Sequence, residues 1–512
     1  MDHQQKHSHS LTFQAFWLLI AKTLAFVFAF ALPVLLTRSL SQNEYGQFKQ
    51  VFLIVTTATA LLPLGFGMSA YYYLPRENDV SRRGQVILNI LLFNLIMGTA
   101  ACFVLIFRPG IIAAIFKDDS IQAYAPLIGV VILLWLFSSF IETVAVANQE
   151  LRLATIFIVA GQLTRTILLL VAAIVFDSVL ALVYAALLHG IFQSLVLIWY
   201  VSSRFPRFWR ALDWSMTTRQ ITYALPFGLA GLLYTIQTDL HNYFVSSHFS
   251  AADFAVYSIG VAQLPLVGIV RESVSSVILP RISYLQEQRQ EREIIVLLAN
   301  ATRKLAAVFL PVYALLMVIG QEFLTVMFTS AYAASWRIFA INLTLLPLSL
   351  LEVDAVVRAY ERHRFFLVRV QIMLSVVMVF ALWYGITRFG LIGAISVVVI
   401  NNFLLRIILA VRFSRVLGVV WRDLLLLKDV AKLGIASAVA AFICVIVRSL
   451  LMANNHRPLL VLALCSAVFG AVYLVGVLLF GVPTRDEREK VRHGVERLQR
   501  FVYLRRSANF IS

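Results

Sequence analysis

The sequence predicts an all-α polytopic membrane protein: about 14 transmembrane helices, as two pseudo-symmetric six-helix bundles plus two C-terminal helices. Three observations carry this class. The 512 residues are 61% hydrophobic and only 13% charged, where a soluble domain carries roughly 25% charge. Apolar runs of about 20 residues recur from Leu11 to Gly481, each long enough to cross ~30 Å of hydrocarbon as a helix. A β-barrel would instead show ~10-residue alternating segments. Finally, a short pattern at residues 41–48 returns at residues 250–257.

Span 1, residues 12–37, is not a cleavable signal. Its apolar stretch Ala15–Leu36 exceeds the roughly 7–15 residues of a signal core. Span 2, residues 46–74, is announced by "SQNEYGQF", in which Ser41 and Glu44 have capping-box spacing. It holds Pro63, Gly65, Gly67 and Pro75. Proline removes a backbone donor and glycine permits bending, so these are hinge candidates. Tyr71, Tyr72 and Tyr73 follow, read mainly as an aromatic interface belt with sugar stacking as the alternative. Spans 3 to 6, at 85–108, 122–147, 153–176 and 179–203, rest on apolar length alone.

A basic linker, 204–219, leads to span 7 (220–246) and span 8 (253–280). Span 8 opens on "SAADFAVY", with Ser250 and Asp253 at capping-box spacing. Pro265 and Pro280 allow it to bend. Spans 2 and 8 each reach an "LPR" (Leu74–Arg76 and Leu279–Arg281), predicted as a common stop. Spans 9 to 12 follow at 296–320, 334–357, 365–386 and 389–412, and spans 13 and 14 at 429–451 and 457–481.

The domains expected are an N-tail (1–11), an N-lobe (12–203), the linker, a C-lobe (220–413), the appended pair (429–481) and a basic tail (482–512). The shared start and stop of spans 2 and 8 favour a duplicated six-span unit, repeated in one orientation about an axis along the membrane normal.

Lys and Arg fix orientation. One set of alternating loops holds Arg76, Arg82, Arg83, Arg204, Arg207, Arg281, Arg289 and many more; the other holds little beyond Arg38, Arg108, Lys117, Arg388, Arg448 and Arg457. The positive-inside rule then puts both termini in the cytoplasm. The net charge of +17 lies in short loops and the tail, and so points to anionic lipid rather than nucleic acid. In the tail, Thr484 and Glu487 cap a basic amphipathic helix for the membrane surface. Cys102, Cys444 and Cys465 lie in apolar runs and read as buried hydrophobes, not as a disulfide or metal set. His3, His7 and His9 read as a disordered polar tail. There is no phosphate-binding loop, zinc spacing or nucleophile triad, and no connection could hold a soluble catalytic domain.

Span 1 followed by "LTRSLSQNEYGQFKQVFLI" resembles the opening of the multidrug/oligosaccharidyl-lipid/polysaccharide exporter superfamily, most closely its polysaccharide and O-antigen repeat-unit flippases. By architecture the resemblance covers the chain; by motif it covers residues 10–76 and 250–282. It implies an inner-membrane flippase for undecaprenyl-pyrophosphate-linked oligosaccharide, serving lipopolysaccharide, capsule or exopolysaccharide synthesis by alternating access. It implies no enzyme chemistry, no cofactor, and coupling to protons, sodium or membrane potential, left open. It also implies a monomer beside membrane lipids, with a polysaccharide polymerase and a chain-length regulator as partners.

Charged side chains inside spans are the candidate site, because a charge at mid-bilayer costs at least ~2.5–3.5 kcal/mol and turns toward protein or water. Lys22 lies ~15 Å into span 1 at 1.5 Å per residue, and Arg271 sits at similar depth in span 8. In the resembling family spans 1, 2, 7 and 8 line the cavity, so Lys22 and Arg271 are implied pyrophosphate ligands. The alternative for Arg271 is a pair with Glu272 or a cross-helix lock, and neighbours ~100° apart on a helix pair badly. Arg165, central in span 5, either reaches the cavity or pairs with an acid nearby. Asp239 and His241 are candidates for sugar contact or coupling, with a hydrated interfacial carboxylate as the plainer reading. Glu142, Glu352, Asp354, Arg358 and Arg406 read as structural or gate pairs near the cytoplasmic face.

Lipid II flippases of the superfamily resemble "AKTLAFV" but carry a further basic residue in span 8 where this chain reads "YSIGVAQLPLVG", which counts against lipid II as cargo. The rivals are a multidrug/cation antiporter, whose cationic cargo asks for an acidic or apolar cavity, and a membrane-embedded polymerase or ligase, which asks for a large outer loop.

Overall fold

A computed structural model describes residues 2–210, 213–351, 356–357, 360, 364–453 and 456–483. Glu352, Asp354, Arg358 and the tail from Thr484 onward lie outside the described residues. Among the described residues the regular structure is entirely helical. The chain runs α1 Asp2–Ser39, α2 Gln42–Leu61, α3 Ser69–Tyr73, α4 Val80–Phe107, α5 Gly110–Phe116, α6 Ala125–Ser138, α7 Phe140–Ala147, α8 Leu151–Phe176 and α9 Val179–Arg204. It continues with α10 Trp214–His248, α11 Ala251–Gly260, α12 Pro265–Glu287, α13 Glu291–Phe328, α14 Ser335–Leu343, α15 Leu345–Leu348, α16 Arg364–Val416, α17 Lys428–Ala453 and α18 Pro458–Leu479.

Nine helices among the described residues are long and apolar enough to cross a membrane, or up to eleven when each broken pair counts as one span. The expected number of about 14 is compatible with this for three reasons. The 53-residue α16 would be ~80 Å long if straight. It reverses at Gly390, where φ is +60°, and brings the Gly393 and Gly385 backbones together, so it supplies two passes. The 35-residue α10 is long enough but interrupted by polar residues, and α14–α15 is a short apolar helix.

Two expectations are corrected. α1 begins at Asp2, so the backbone of the N-tail is helical. Nothing between Asp2 and the apolar run breaks a helix, and a nucleated helix propagates. The second "LPR" is no stop: Leu74–Arg76 forms a short 3-10 turn that ends its span, but α12 runs through Pro280 to Glu287. A proline costs its own ladder bond and bends the helix without ending it.

The Cα positions divide into two compact units. The first comprises Met1–Ile269, Leu324–Asn342 and Arg362–Ile407. Its core gathers Phe66, Leu74, Ile87, Ile90, Phe140, Val144, Tyr200 and Phe205, all buried. Small residues let helices close up in it: a Cβ on Gly98 would stand 3.0 Å from Leu133 Cα, and one on Gly129 3.0 Å from Cys102 Cα. Without a hydrophobic drive between helices in lipid, such close approach is what holds them.

The second unit comprises Val270–Phe323, Leu343–Glu361 and Ile408–Ser512. There Ile319 packs with Ala440, Cys444, Val461, Cys465 and Phe469 of the α17–α18 hairpin. The three cysteines are buried and unbridged.

Candidate functional site

The repeat visible in the sequence becomes a structural device in the first unit. Ser41 caps α2 by accepting from the Glu44 N–H, and Glu44 accepts from the Ser41 N–H at 2.9 Å. Ser250 caps α11 from the same backbone angles, φ −63° and ψ 161°, accepting from the Asp253 N–H and donating to Asp253 Oδ2 at 2.7 Å. Each helix then breaks early. α2 stops at Leu61, and the second half of span 2 continues at 45° after Leu62–Gly65. α11 stops at Gly260, and α12 starts only at Pro265.

Of the hinge candidates, Pro63, Gly65 and Pro265 fall at these breaks. Gly65 is left-handed at φ +69°, and Leu64 also has positive φ at 44°. The kink is seated against α10, since a Cβ on Gly228 would meet the Leu64 carbonyl oxygen at 2.0 Å. Pro63 precedes the turn, Gly67 lies in the 3-10 turn after it, and Pro75 sits in the terminal turn Leu74–Arg76. Pro265 opens α12, and Pro280 lies inside it.

Arg165 gathers neighbours within the first unit. Its guanidinium carbon stands 4.5 Å from the Trp135 ring centre and 5.7 Å from that of Phe52. Trp135 meets the His189 imidazole edge-on, centres 5.6 Å apart, and its indole N–H is spent on the Ala186 carbonyl at 2.9 Å. Lys49, three residues before Phe52 and hence on the same face of α2, feels the Arg165 charge. So does His189. Arg165 Nε and His189 Nδ1 are buried and have no hydrogen-bond partner. Among the described residues no carboxylate pairs with Lys49 or Arg165. Thus Arg165 does not meet the acid that one reading of the sequence gave it. Lys49 and His189 were not singled out from the sequence, although Lys49 is a charge inside the expected span 2 and so carried the signal that could have found it.

The other candidates are placed as follows. Lys22 is half-buried on α1, and in the second unit Arg271 is half-buried on α12 with Glu272 exposed beside it. Asp239 is half-buried on α10 and accepts from Thr57 Oγ1 at 3.1 Å. His241, only 8% exposed, is bound through Nδ1 to the Tyr257 hydroxyl at 2.9 Å. Asp239 and His241 therefore serve different contacts. Glu142 lies half-buried in the first turn of α7, and Arg406 is half-buried on α16. Tyr72 is exposed, with the Arg76 guanidinium over its ring at 3.7 Å and the Tyr223 ring 4.6 Å away.

Three further polar arrangements emerge from tertiary neighbours. Gln220 on α10 accepts from Asn89 Nδ2 at 2.9 Å and donates to Ser69 Oγ at 3.0 Å and the Val86 carbonyl at 3.2 Å. In the second unit Arg448 grips Glu322 Oε1 with Nε at 2.8 Å and Nη2 at 2.6 Å. Arg292 pairs with the buried Asp423 in the same unit. No group of three or more His, Cys, Asp or Glu side chains able to hold a metal ion occurs among the described residues.

The family described as polysaccharide biosynthesis protein matches residues 35–337. Among curated proteins, none matches the sequence. Among solved structures, the lipid II flippase MurJ in an inward closed conformation is similar at a TM-score of 0.71 and 14% identity, over 90% of this chain and 98% of that one. A multidrug resistance MATE family transporter of the MOP superfamily, inward-facing, is similar at 0.55 and 16% identity, over 80% and 95% of the two chains. A MOP superfamily transporter from Pyrococcus furiosus, whose binding pocket is described as having reverse polarity, gives 0.54 and 15% identity over 79% and 94%. At such identities the likeness establishes the fold alone, a multi-pass helical membrane architecture shared with these transporters.

Proposed function

We propose, from the premise that this chain belongs to the polysaccharide biosynthesis protein family, that it is a flippase moving undecaprenyl-pyrophosphate-linked oligosaccharide across the bacterial inner membrane for O-antigen, capsule or exopolysaccharide synthesis. The observation that carries the reading is the fold. A transporter architecture known for a lipid-linked cargo extends over 90% of the chain, in a family tied to polysaccharide synthesis. Cations within the spans support it. A pyrophosphate headgroup leaves water only against paired donors, and Lys22 and Arg271 are the side chains assigned to it. No bond in the cargo is made or broken; the protein changes shape around it. The broken spans 2 and 8 are the elements assigned to bend, with Gly65 and the Pro265 start as their joints. Asp239 is assigned to coupling or sugar contact. Both termini are placed in the cytoplasm, and the protein is taken to act as a monomer beside a polymerase and a chain-length regulator.

The test is flipping in proteoliposomes, using a fluorescent undecaprenyl-pyrophosphate oligosaccharide and Lys22→Ala and Arg271→Ala at equal reconstitution. Near-complete loss in each is expected. Wild-type flux in both would end the assignment of these cations. Flux of cationic dyes in place of the lipid-linked glycan would replace the reading with a multidrug antiporter.

A further inference from the structure

We infer that the bundle of α2, α6, α8 and α9 holds a site for a small monovalent anion, a halide or a carboxylate, built on Lys49, Arg165 and His189 with Trp135 and Phe52 as its walls. The site lies wholly within the first unit. Lys49 stands about 10 Å from the start of α2, Arg165 about 17 Å from the end of α8 and His189 about 15 Å from the start of α9, at 1.5 Å per residue. All three therefore lie within their helices rather than at an end, with Lys49 and Arg165 half-buried and His189 buried.

Two cations at this depth repel each other, and low dielectric strengthens the repulsion. Proteins relieve such a pair with a carboxylate, and among the described residues none pairs with either cation. The aromatic rings relieve it only in part. Trp135 and Phe52 engage the guanidinium as a cation over their faces, whereas guanidinium hydrogens point outward in its plane and need acceptors. Arg165 Nε, buried, lacks one. His189, 6% exposed, likewise has Nδ1 without a partner. The Trp135 indole N–H cannot compete, since Ala186 holds it.

A water molecule would satisfy the Arg165 Nε–H but leave the excess charge uncompensated inside the membrane span. A single negative ion answers both needs. The walls, Trp135 and Phe52, carry no charge to oppose it. A halide and a carboxylate share this chemistry; the first would come from the medium, the second from an acidic sugar or metabolite. The inference does not rest on the flippase reading, because its test uses no cargo.

The experiment measures the thermal unfolding midpoint of the full chain in nanodiscs against chloride, bromide or acetate, with the bulky, carboxylate-free HEPES anion as reference at constant ionic strength. A ligand bound only by the folded state raises the midpoint with concentration. In parallel, iodide quenching of tryptophan fluorescence is titrated in the wild type and in Trp135→Phe.

Expected are a saturable rise of the midpoint with a halide or with acetate, and its loss in Lys49→Met and in Arg165→Gln. A halide-binding site also shows saturable quenching that Trp135→Phe removes. A halide response identifies an inorganic ion, and a response to acetate alone identifies a carboxylate. If Arg165→Gln does not fold, Lys49→Met decides. Equal midpoints in all salts together with purely linear quenching overturn the site, as does an undiminished saturable response in Lys49→Met.

Discussion

Gly46 of α2 lies against Ala251 of α11 so closely that a Cβ on the glycine would stand 1.8 Å from the Ala251 carbonyl oxygen. The two residues open the two helices whose sequences echo each other, so the repeat packs against its own counterpart. The partner atom is backbone and cannot swing aside. Gly46→Ala should therefore cost more than the usual ~1–3 kcal/mol of overpacking, by forcing the helices apart. The measurement is thermal unfolding in micelles; an unchanged midpoint would mean that α2 and α11 are not in contact.

Gly228 and the Leu64–Gly65 turn form a second backbone seat. Gly228→Ala would place Cβ 2.0 Å from the Leu64 oxygen and should unseat the kink in span 2. Gly65→Ala adds the strain of φ +69° to a contact 2.7 Å from the Gly228 nitrogen. Both variants should lower the unfolding midpoint. Midpoints equal to wild type would contradict the seat.

The buried Gln220 amide ties Ser69, Val86 and Asn89 together. Gln220→Ala removes partners from groups with no route to water, which costs about 1–3 kcal/mol for each group stranded. Expression level and melting temperature should both fall. Asn89→Ala should be milder, since the Gln220 side chain keeps two acceptors.

The Glu322–Arg448 grip joins α13 to α17 with the carboxylate 5% exposed. Removing one partner strands a buried charge, at a cost of about 3–5 kcal/mol. Arg448→Met and Glu322→Gln should each be strongly destabilising, and the double variant less so than their sum. Strict additivity in a double-mutant cycle would show that the two side chains act independently.

Ser41→Ala and Ser250→Ala should each cost about 1 kcal/mol, the ordinary value of an N-cap. Near-equal losses are expected, because the two caps share their backbone geometry. Calorimetric or chemical unfolding of both variants gives the comparison.

Much of this protein was legible along the chain. Hydropathy marks each apolar run, because crossing hydrocarbon demands about 20 apolar residues in sequence and leaves a local trace. Ser41 with Glu44 and Ser250 with Asp253 announced their caps, since a cap is made within four residues. Proline and glycine marked where spans 2 and 8 break. The shared "LPR" was less reliable: Pro280 bends a helix that neighbouring packing carries on to Glu287.

The charged cluster belongs to another category. Lys49, Trp135, Arg165 and His189 come from four helices, and no spacing along the chain relates them. Only the choice of helix neighbours, made by close approaches such as Gly190 on Leu134 and Gly161 on Gln193, brings their faces together. Hydrophobicity is a property of each segment and so marked where the apolar spans lie along the chain. Which faces meet depends on shape complementarity between segments distant in sequence, and that is decided only in three dimensions.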